Sequence, residues 1–349
     1  MVYADYAATC PVVKYPSSAY GPFLNPNANY AYKEKRLLSE AEDRVKKAIG
    51  AKGGKVVFGG TSSQLIENLF TRIYDETNEY LTICSIYEHD AMWRFARQWG
   101  NIDSLKHVIQ TYHGDKQLIV SLMGVSNITG EIFPVKDIGH LCHKYNAFYI
   151  CDATALLGHT PIEPNINDWC DFLILDGHKA GTELGIGCCW VSDRLDEWLN
   201  GFKLHGTPNL AGALAMTQAV EDACDISLLE ERQSQWMDLS DELYSRLLDV
   251  CVDVKQIGNN EGCWAINAIR LPGFNARALQ SYLASKQVYV GLGQASCADD
   301  TDRRILCNGY GLIKEEADEV IRVSFGINSS INEVKMLVEQ IKNFKEVYL

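Results

Sequence analysis

The chain of 349 residues has no apolar run of about 18 residues, so no membrane-spanning helix is expected. None of its 12 cysteines forms a Cys-x-x-Cys pair, and the neighbours Cys188 and Cys189 cannot make an ordinary bridge or a finger-type zinc site. Basic charge is scarce: 32 Lys and Arg against 45 Asp and Glu leave a net charge of −13. A chain so acidic is poorly suited to gripping a phosphate backbone, so no direct nucleic-acid partner is expected. The charge reads as a solubility device, or as a docking surface for a basic partner. Residues Met1–Thr9 hold Asp5 and no basic cluster, unlike a signal or transit peptide. Without a secretory signal, scattered cysteines point to a reducing, cytoplasmic setting in which most of them are small core residues. No internal repeat, low-complexity tract or Pro/Gly-rich linker is present. A complete Gly-x-Gly-x-x-Gly fingerprint is also missing; Gly291-Leu-Gly293 is a partial version with no helix after it.

What is present is an alternation of strand and helix patterns. Leu37, Leu38, Ala41, Val45, Ala48 and Ile49 recur at helical spacing, with Gly50 as a stop. Lys55–Phe58 reads as a short strand, and Leu65, Ile66, Leu69, Phe70 and Ile73 as the next helix. Further strands are expected at Tyr80–Cys84, Leu118–Leu122, Phe148–Cys151, Phe172–Leu175 and Cys188–Val191, with a helical stripe at Ile138, Leu141, Cys142 and Tyr145. Short apolar strands separated by helices predict an α/β domain whose sheet is mostly parallel and covered on both faces. After about residue 225 the pattern changes. A long helix is expected from Leu228 to about Cys251, then a strand at Cys263–Arg270. A helix capped by Asn275 follows, then strands at Val288–Val290 and Ile321–Phe325, and a final amphipathic helix through Phe344. This predicts a large domain over 16–225 and a smaller α+β domain formed by 1–15 with 226–349.

The most informative stretch is Val120–Val191. It carries Asn127 in Val-Ser-Asn-Ile-Thr-Gly, Asp152 at a strand end, and Asp-Gly-His-Lys at 176–179. A carboxylate at one strand end and a lysine just after the next strand meet at the carboxyl edge of a parallel sheet, where open α/β folds bind ligands. That chemistry suits pyridoxal phosphate: the lysine holds the aldehyde and the aspartate pairs with the pyridinium nitrogen, making the ring an electron sink. By itself, an Asp and a Lys 27 positions apart reads as a surface salt bridge. The surrounding motifs change that reading.

Tyr3-Ala-Asp-Tyr-Ala-Ala-Thr-Cys-Pro11, Asn25-Pro-Asn-Ala-Asn29, Phe58-Gly-Gly-Thr-Ser-Ser63, Glu88-His89, Gly206-Thr-Pro-Asn209 and Ile321-Arg-Val-Ser-Phe-Gly326 occur in this order around the central stretch. Each is weak alone. Together they resemble the cysteine desulfurases of the class V aminotransferase superfamily along nearly the whole chain. The resemblance implies the pyridoxal-phosphate-dependent transferase fold type I, with a mostly parallel, seven-stranded-type sheet in the large domain. It implies that Lys179 carries the cofactor and later moves the substrate Cα proton. Asp152 would bind the pyridine nitrogen and His89 would stack on the ring. Thr61, Ser62 and His178 would hold the phosphate, with help from backbone N–H groups at a helix start. Asn127 would lie beside the ring hydroxyl and the substrate. Arg322 would clamp the substrate carboxylate with its planar fork. A buried guanidinium left unpaired is costly, which also favours a ligand role for Arg322. Thr207 would reach the phosphate of the partner subunit, so a homodimer is expected.

The family carries a nucleophilic cysteine in a Gly-Ser-Ala-Cys pattern on a loop after a small-domain strand. Here Val288-Tyr-Val-Gly-Leu-Gly-Gln-Ala-Ser-Cys297 takes that place, and the acidic residues after it, Asp299, Asp300 and Asp302, oppose thiolate formation. The implied reaction converts L-cysteine to L-alanine, leaves a persulfide on Cys297, and passes sulfur to an acceptor or scaffold protein. That sulfur would serve iron–sulfur cluster assembly or thiolation of tRNA or DNA. Selenocysteine lyase or another class V lyase or aminotransferase is the alternative within the enzymes; a non-catalytic scaffold for a sulfur acceptor is the alternative outside them. Three departures stand out. Ala155 replaces a glutamine that bonds the ring hydroxyl. Asp176 replaces a Ser or Thr, and an anion there is unfavourable beside a phosphate, so it is expected to point elsewhere or to alter phosphate binding. The arginine usual before Gly-Thr is absent, with Lys203 or His205 as substitutes.

Overall fold

The structure, a computed structural model, describes residues 1–11, 13–76, 80–195, 206–293 and 303–348; Cys297, Lys203 and His205 lie outside them. The chain divides into two compact units. The larger comprises Pro11–Gly124 and Phe133–Ile226, and the smaller comprises Met1–Cys10, Val125–Ile132 and Ser227–Leu349. The sequence pattern placed the first boundary after residue 15 and kept 125–132 in the large domain. Two sets of contacts explain the difference. Lys14 and Tyr15 donate their backbone N–H groups to the Gly181 carbonyl, and the Lys14 ammonium pairs with Asp222, 2.8 Å away, which ties them to the larger unit. Within 125–132, the Arg322 guanidinium donates to the Asn127 carbonyl at 2.8 Å, and the Tyr310 hydroxyl meets Thr129 and Glu131 at 2.7 and 2.8 Å. These partners lie far along the chain, where no local periodicity can show them.

The larger unit is built on a seven-stranded sheet. Its strands are β2 (Lys55–Gly59), β3 (Tyr80–Ser85), β4 (Gln98–Gly100), β5 (Gln117–Ser121), β6 (Phe148–Asp152), β7 (Phe172–Asp176) and β8 (Gly187–Val191), in the order β2-β8-β7-β6-β5-β3-β4. Strands β7, β6, β5, β3 and β4 are mutually parallel. Only β8 runs against its neighbours β7 and β2. The residues of β7 and β8 are all buried, as expected for strands covered on both faces. The helix Ser62–Glu76 lays Leu65, Ile66, Leu69, Phe70 and Ile73 into a core with Ile119, Ile150, Phe172, Ile174 and Cys189. Phe70 is fully buried and stacks on Phe95 at 4.7 Å. Truncating it to Ala would cost about 3–5 kcal/mol and loosen the helix whose start faces the site described below.

In the smaller unit a five-stranded sheet has the order β1-β11-β12-β10-β9, with β1 (Val2–Ala4), β9 (Lys255–Ile257), β10 (Ile266–Arg270), β11 (Val288–Leu292) and β12 (Val320–Ser324). Only the β1–β11 pairing is parallel. Helices Ile226–Val250, Ala276–Ser285 and Ile331–Tyr348 complete its α+β pattern. Asn275 caps its helix as expected, accepting the Ala278 N–H at 3.0 Å. The strand expected from Cys263 starts only at Ile266, because Trp264 adopts a left-handed φ of 56°. The helix Leu210–Ala223 gave no amphipathic stripe because it is buried nearly all round, with Ala213, Ala215, Met216, Ala219 and Val220 each inside. Among the described residues no helix is long and apolar enough to cross a membrane.

Candidate cofactor site

Sheet register gathers the site. Asp152 ends β6 and Asp176 ends β7, and both strands point the same way. Because β8 runs back, its first residue Gly187 pairs with Asp176; because β2 opposes β8, its last residue Gly59 pairs with Gly187. The segments Thr61–Ser62, Glu88–His89, Asp152 and Asp176–Lys179 therefore all leave the sheet at one edge. That edge is the ligand-binding side of an open α/β sheet.

Each side chain is set locally. Thr61 precedes the helix Ser62–Glu76 in a reciprocal box: its hydroxyl accepts the Gln64 N–H at 3.2 Å, and the Gln64 side chain accepts the Thr61 N–H at 3.3 Å. His89 begins the short helix Asp90–Trp93, and its Nδ1 accepts the Ala91 N–H at 3.1 Å. Accepting at Nδ1 puts the neutral ring's proton on Nε2. Asp152 is buried, with one oxygen accepting the Thr154 N–H at 2.9 Å. Lys179 is half-buried three residues past the end of β7. Burial lowers the His178 pKa against the opposing pull of Asp176, and nearby Lys179 lowers it further.

Asp176 does not point away from this edge. Its Oδ2 accepts the backbone N–H of Ser62 at 2.8 Å, at the very start of the helix. Its Oδ1 accepts the His178 N–H at 3.4 Å and lies 3.7 Å from His178 Nε2. Gly187 makes this approach possible, because a Cβ there would stand 2.9 Å from the Leu175 carbonyl and 3.4 Å from the Ser62 nitrogen.

Glu88 is the site residue whose weight the sequence understated; its only mark there was adjacency to His89. It is fully buried, and burial, reinforced by the Asp152 charge, pushes its pKa up to about 8 against the hydrogen bonds of Ser121, Met123 and Ser85. A carboxyl that holds its proton more tightly when folded makes stability fall as pH rises from the ordinary glutamate range through the folded value. Between about pH 5 and about pH 9 the unaltered protein should therefore lose on the order of 4 kcal/mol more than Glu88→Gln. Urea unfolding of both proteins at the two pH values measures the difference, and parallel losses would contradict a neutral Glu88.

In the smaller unit Arg322 lies on β12 and is 2% exposed. Its Nη2 donates to Asp5 at 2.7 Å and its Nη1 to the Asn127 carbonyl at 2.8 Å. The buried guanidinium thus has a partner within the chain, and the cost of an unpaired charge no longer argues for a ligand. Nε has no partner among the described residues. Gly291, opposite Arg322 on β11, leaves the room: a Cβ there would come within 2.8 Å of Nε. Asn127 is buried, and its Oδ1 has no partner among the described residues. Asp5 was visible in the sequence only as part of a motif; its role as the Arg322 counter-ion needed the fold. Thr207 is exposed in the larger unit, where Asn27 of the Asn-Pro motif donates to the Gly206 carbonyl at 3.0 Å and Asn209 caps the helix Leu210–Ala223. The structure thus brings Thr61, Ser62, His89, Asp152, His178 and Lys179 to one edge of the larger unit. It sets Asn127 and Arg322 together in the smaller one.

The family model described as Aminotransferase class-V matches residues 2–337. The chain belongs to the class-V aminotransferases. Among curated relatives it is similar to "Cysteine desulfurase IscS" of Dictyoglomus turgidum, 27% identical over 63% of this chain and 63% of that one. That alignment spans less than two thirds of the relative's length. It is also similar to "Cysteine desulfurase IscS" of Methanosarcina thermophila, 24% identical over 97% of this chain and 91% of that one. Among solved structures, a NifS-like protein from Rickettsia africae superposes with a TM-score of 0.84 at 19% identity, covering 99% of this chain and 100% of that one. This likeness establishes the fold. The mixed seven-stranded sheet with a smaller α+β unit agrees with the fold type I architecture that the motifs implied.

Members of this family use pyridoxal phosphate, and the residues of this class-V chain fit its ring and aldehyde. Asp152 offers a buried carboxylate at a strand end, Lys179 an amine beside it in the sheet order, and His89 a ring held by its own cap. At the phosphate end the helix start is present, but its first N–H is already taken by Asp176.

Proposed function

We propose that this class-V chain is a pyridoxal-phosphate-dependent cysteine desulfurase that acts on L-cysteine and loads sulfur onto Cys297. The observation that carries the reading is the convergence of His89, Asp152 and Lys179 at one edge of the larger sheet, in a chain whose relatives bear that name. When bound, the cofactor would draw electrons from the substrate Cα. Asp152 would hold the pyridine nitrogen in its charged form. Lys179 would hold the aldehyde and then take the Cα proton. Arg322 would orient the substrate carboxylate, using the N–H groups left beside its Asp5 pair, and Asn127 would lie beside the ring hydroxyl. The Cys297 thiolate would form an S–S bond to the substrate sulfur as the substrate Cβ–S bond breaks. The carbon fragment would take up protons to leave as alanine, and the outer sulfur would pass to a thiol of an acceptor protein.

Six of the other cysteines are disfavoured as the nucleophile. Burial drives the thiols of Cys142, Cys151, Cys170, Cys188, Cys189 and Cys263 far above the range in which a thiolate forms. All eleven cysteines among the described residues are free thiols, which supports a reducing, cytoplasmic setting. The exposure of Thr207 suits a residue that completes the site of a second copy, so the working form is proposed to be a homodimer.

Alanine and sulfide release from L-cysteine, with pyridoxal phosphate and a thiol reductant, tests the reading. Cys297→Ala should lose at least about 100-fold in both products. Equal release from the variant and the unaltered protein would move the chemistry to direct elimination or to another thiol. Cleavage of selenocysteine alone, with none of cysteine, would point to a selenocysteine lyase.

A further inference from the structure

The start of the helix Ser62–Glu76 is the seat that the phosphate of the cofactor would need, on the reading proposed above. A free helix start presents unsatisfied N–H groups and a partial positive charge to an anion. Here those groups are largely spoken for. The Gln64 N–H goes to the Thr61 hydroxyl, the Thr61 N–H to Gln64, and the Ser62 N–H to a carboxylate that is 2% exposed. The carboxylate is no accident of a flexible surface. Asp176 is the last residue of a fully buried strand, and both its oxygens are engaged, on Ser62 and on His178. His178, with Nε2 3.7 Å from Oδ1, is held toward its neutral form by burial, so it offsets little of the carboxylate's charge.

We propose that Asp176 acts as a built-in anion in the phosphate seat, so that the phosphate adds little to cofactor binding and this chain holds pyridoxal phosphate loosely and exchangeably. A phosphate monoester brings nearly two negative charges to the seat. To settle there it must either displace Asp176 from the Ser62 N–H or lie against it as a like charge. Pyridoxal, which has the same ring and aldehyde but no phosphate, meets no such opposition. Asp176 is thus a specificity-determining residue for the cofactor rather than a group in the chemical step.

Titration of pyridoxal phosphate and of pyridoxal into the unaltered protein, Asp176→Ser and Asp176→Asn tests this, followed by the visible absorbance that Lys179→Ala removes. Asp176→Asn keeps an oxygen for the Ser62 N–H while removing the charge, so the local fold has a partner in at least one variant. Removing the charge should tighten pyridoxal phosphate by about tenfold or more and leave pyridoxal within about twofold. Equal affinity for pyridoxal phosphate in all three proteins would overturn the proposal, as would an equal gain for both ligands. Inorganic phosphate gives a readout free of the cofactor assignment: it should raise the melting temperature of the Asp176 variants but not of the unaltered protein. If no protein shows the visible absorbance yet phosphate protects only the variants, the cofactor reading fails and the built-in anion stands. If phosphate protects all three alike or none, the built-in anion fails.

Discussion

Lys179→Ala is expected to remove both the visible absorbance of bound cofactor and the formation of alanine from L-cysteine, by at least about 1,000-fold in rate. The size follows from the two tasks that fall on one amine. It holds the aldehyde in place, and it is the base proposed to take the Cα proton; the neighbouring groups at that sheet edge do not replace it. His178 sits against Asp176 and burial makes it a weaker base, while His89 Nδ1 is occupied by the Ala91 N–H. The effect should be chemical and not structural. Lys179 is half-buried in the turn after β7, so unfolding free energy should change by less than about 1 kcal/mol. Absorbance titration together with urea unfolding separates the two. Retained alanine formation in a folded Lys179→Ala would remove Lys179 from the mechanism, and with it the proposed site.

The second large effect is expected at Arg322. Arg322→Ala would leave the Asp5 carboxylate and the Asn127 carbonyl without their donors in a place where the arginine itself is 2% exposed. Breaking a fully buried pair from one side costs about 3–5 kcal/mol. Because the Asp5 side chain stays 22% exposed, the loss here should fall near the lower end. Replacing both members, as Asp5→Asn with Arg322→Gln, should recover part of that loss, and the shortfall from additivity measures their coupling. Catalysis should respond separately: Arg322→Lys keeps a charge but not the fork, so KM for L-cysteine should rise about 10- to 100-fold with a smaller change in kcat. Steady-state kinetics on folded Arg322→Lys decides this. An unchanged KM would mean that Arg322 is only a structural partner for Asp5.

That ambiguity marks where sequence reasoning stops. An arginine on an apolar strand looked like a ligand group, since no partner was visible nearby in the chain. The partner is Asp5, more than three hundred positions away, delivered by the parallel pairing of β1 with β11 and the pairing of β11 with β12. Asp176 shows the same limit from the other side. The residue type warned of a conflict with phosphate, yet its direction depended on β8 running backwards between β7 and β2, with Gly187 letting Ser62 come close. The segment Val125–Ile132 groups with the smaller unit although its neighbours in sequence lie in the larger one, and its polar groups are met by Arg322 and Tyr310.

By itself the sequence determined the periodicities, and through them six of the seven strands of the larger sheet (all but the short β4), the helix Ser62–Glu76 and the terminal helices. It also determined the order of the candidate site residues Thr61, His89, Asp152 and Lys179, each at or just beyond the end of a strand. Both are local properties: a side chain's face follows from its spacing, and a strand end from the residues that stop it. Only the tertiary structure decided which charges meet. Asp5 with Arg322, Asp176 with Ser62, and Glu88 buried beside Asp152 all depend on strand order and on depth from water, which fix electrostatic energies and which no window of neighbouring residues encodes.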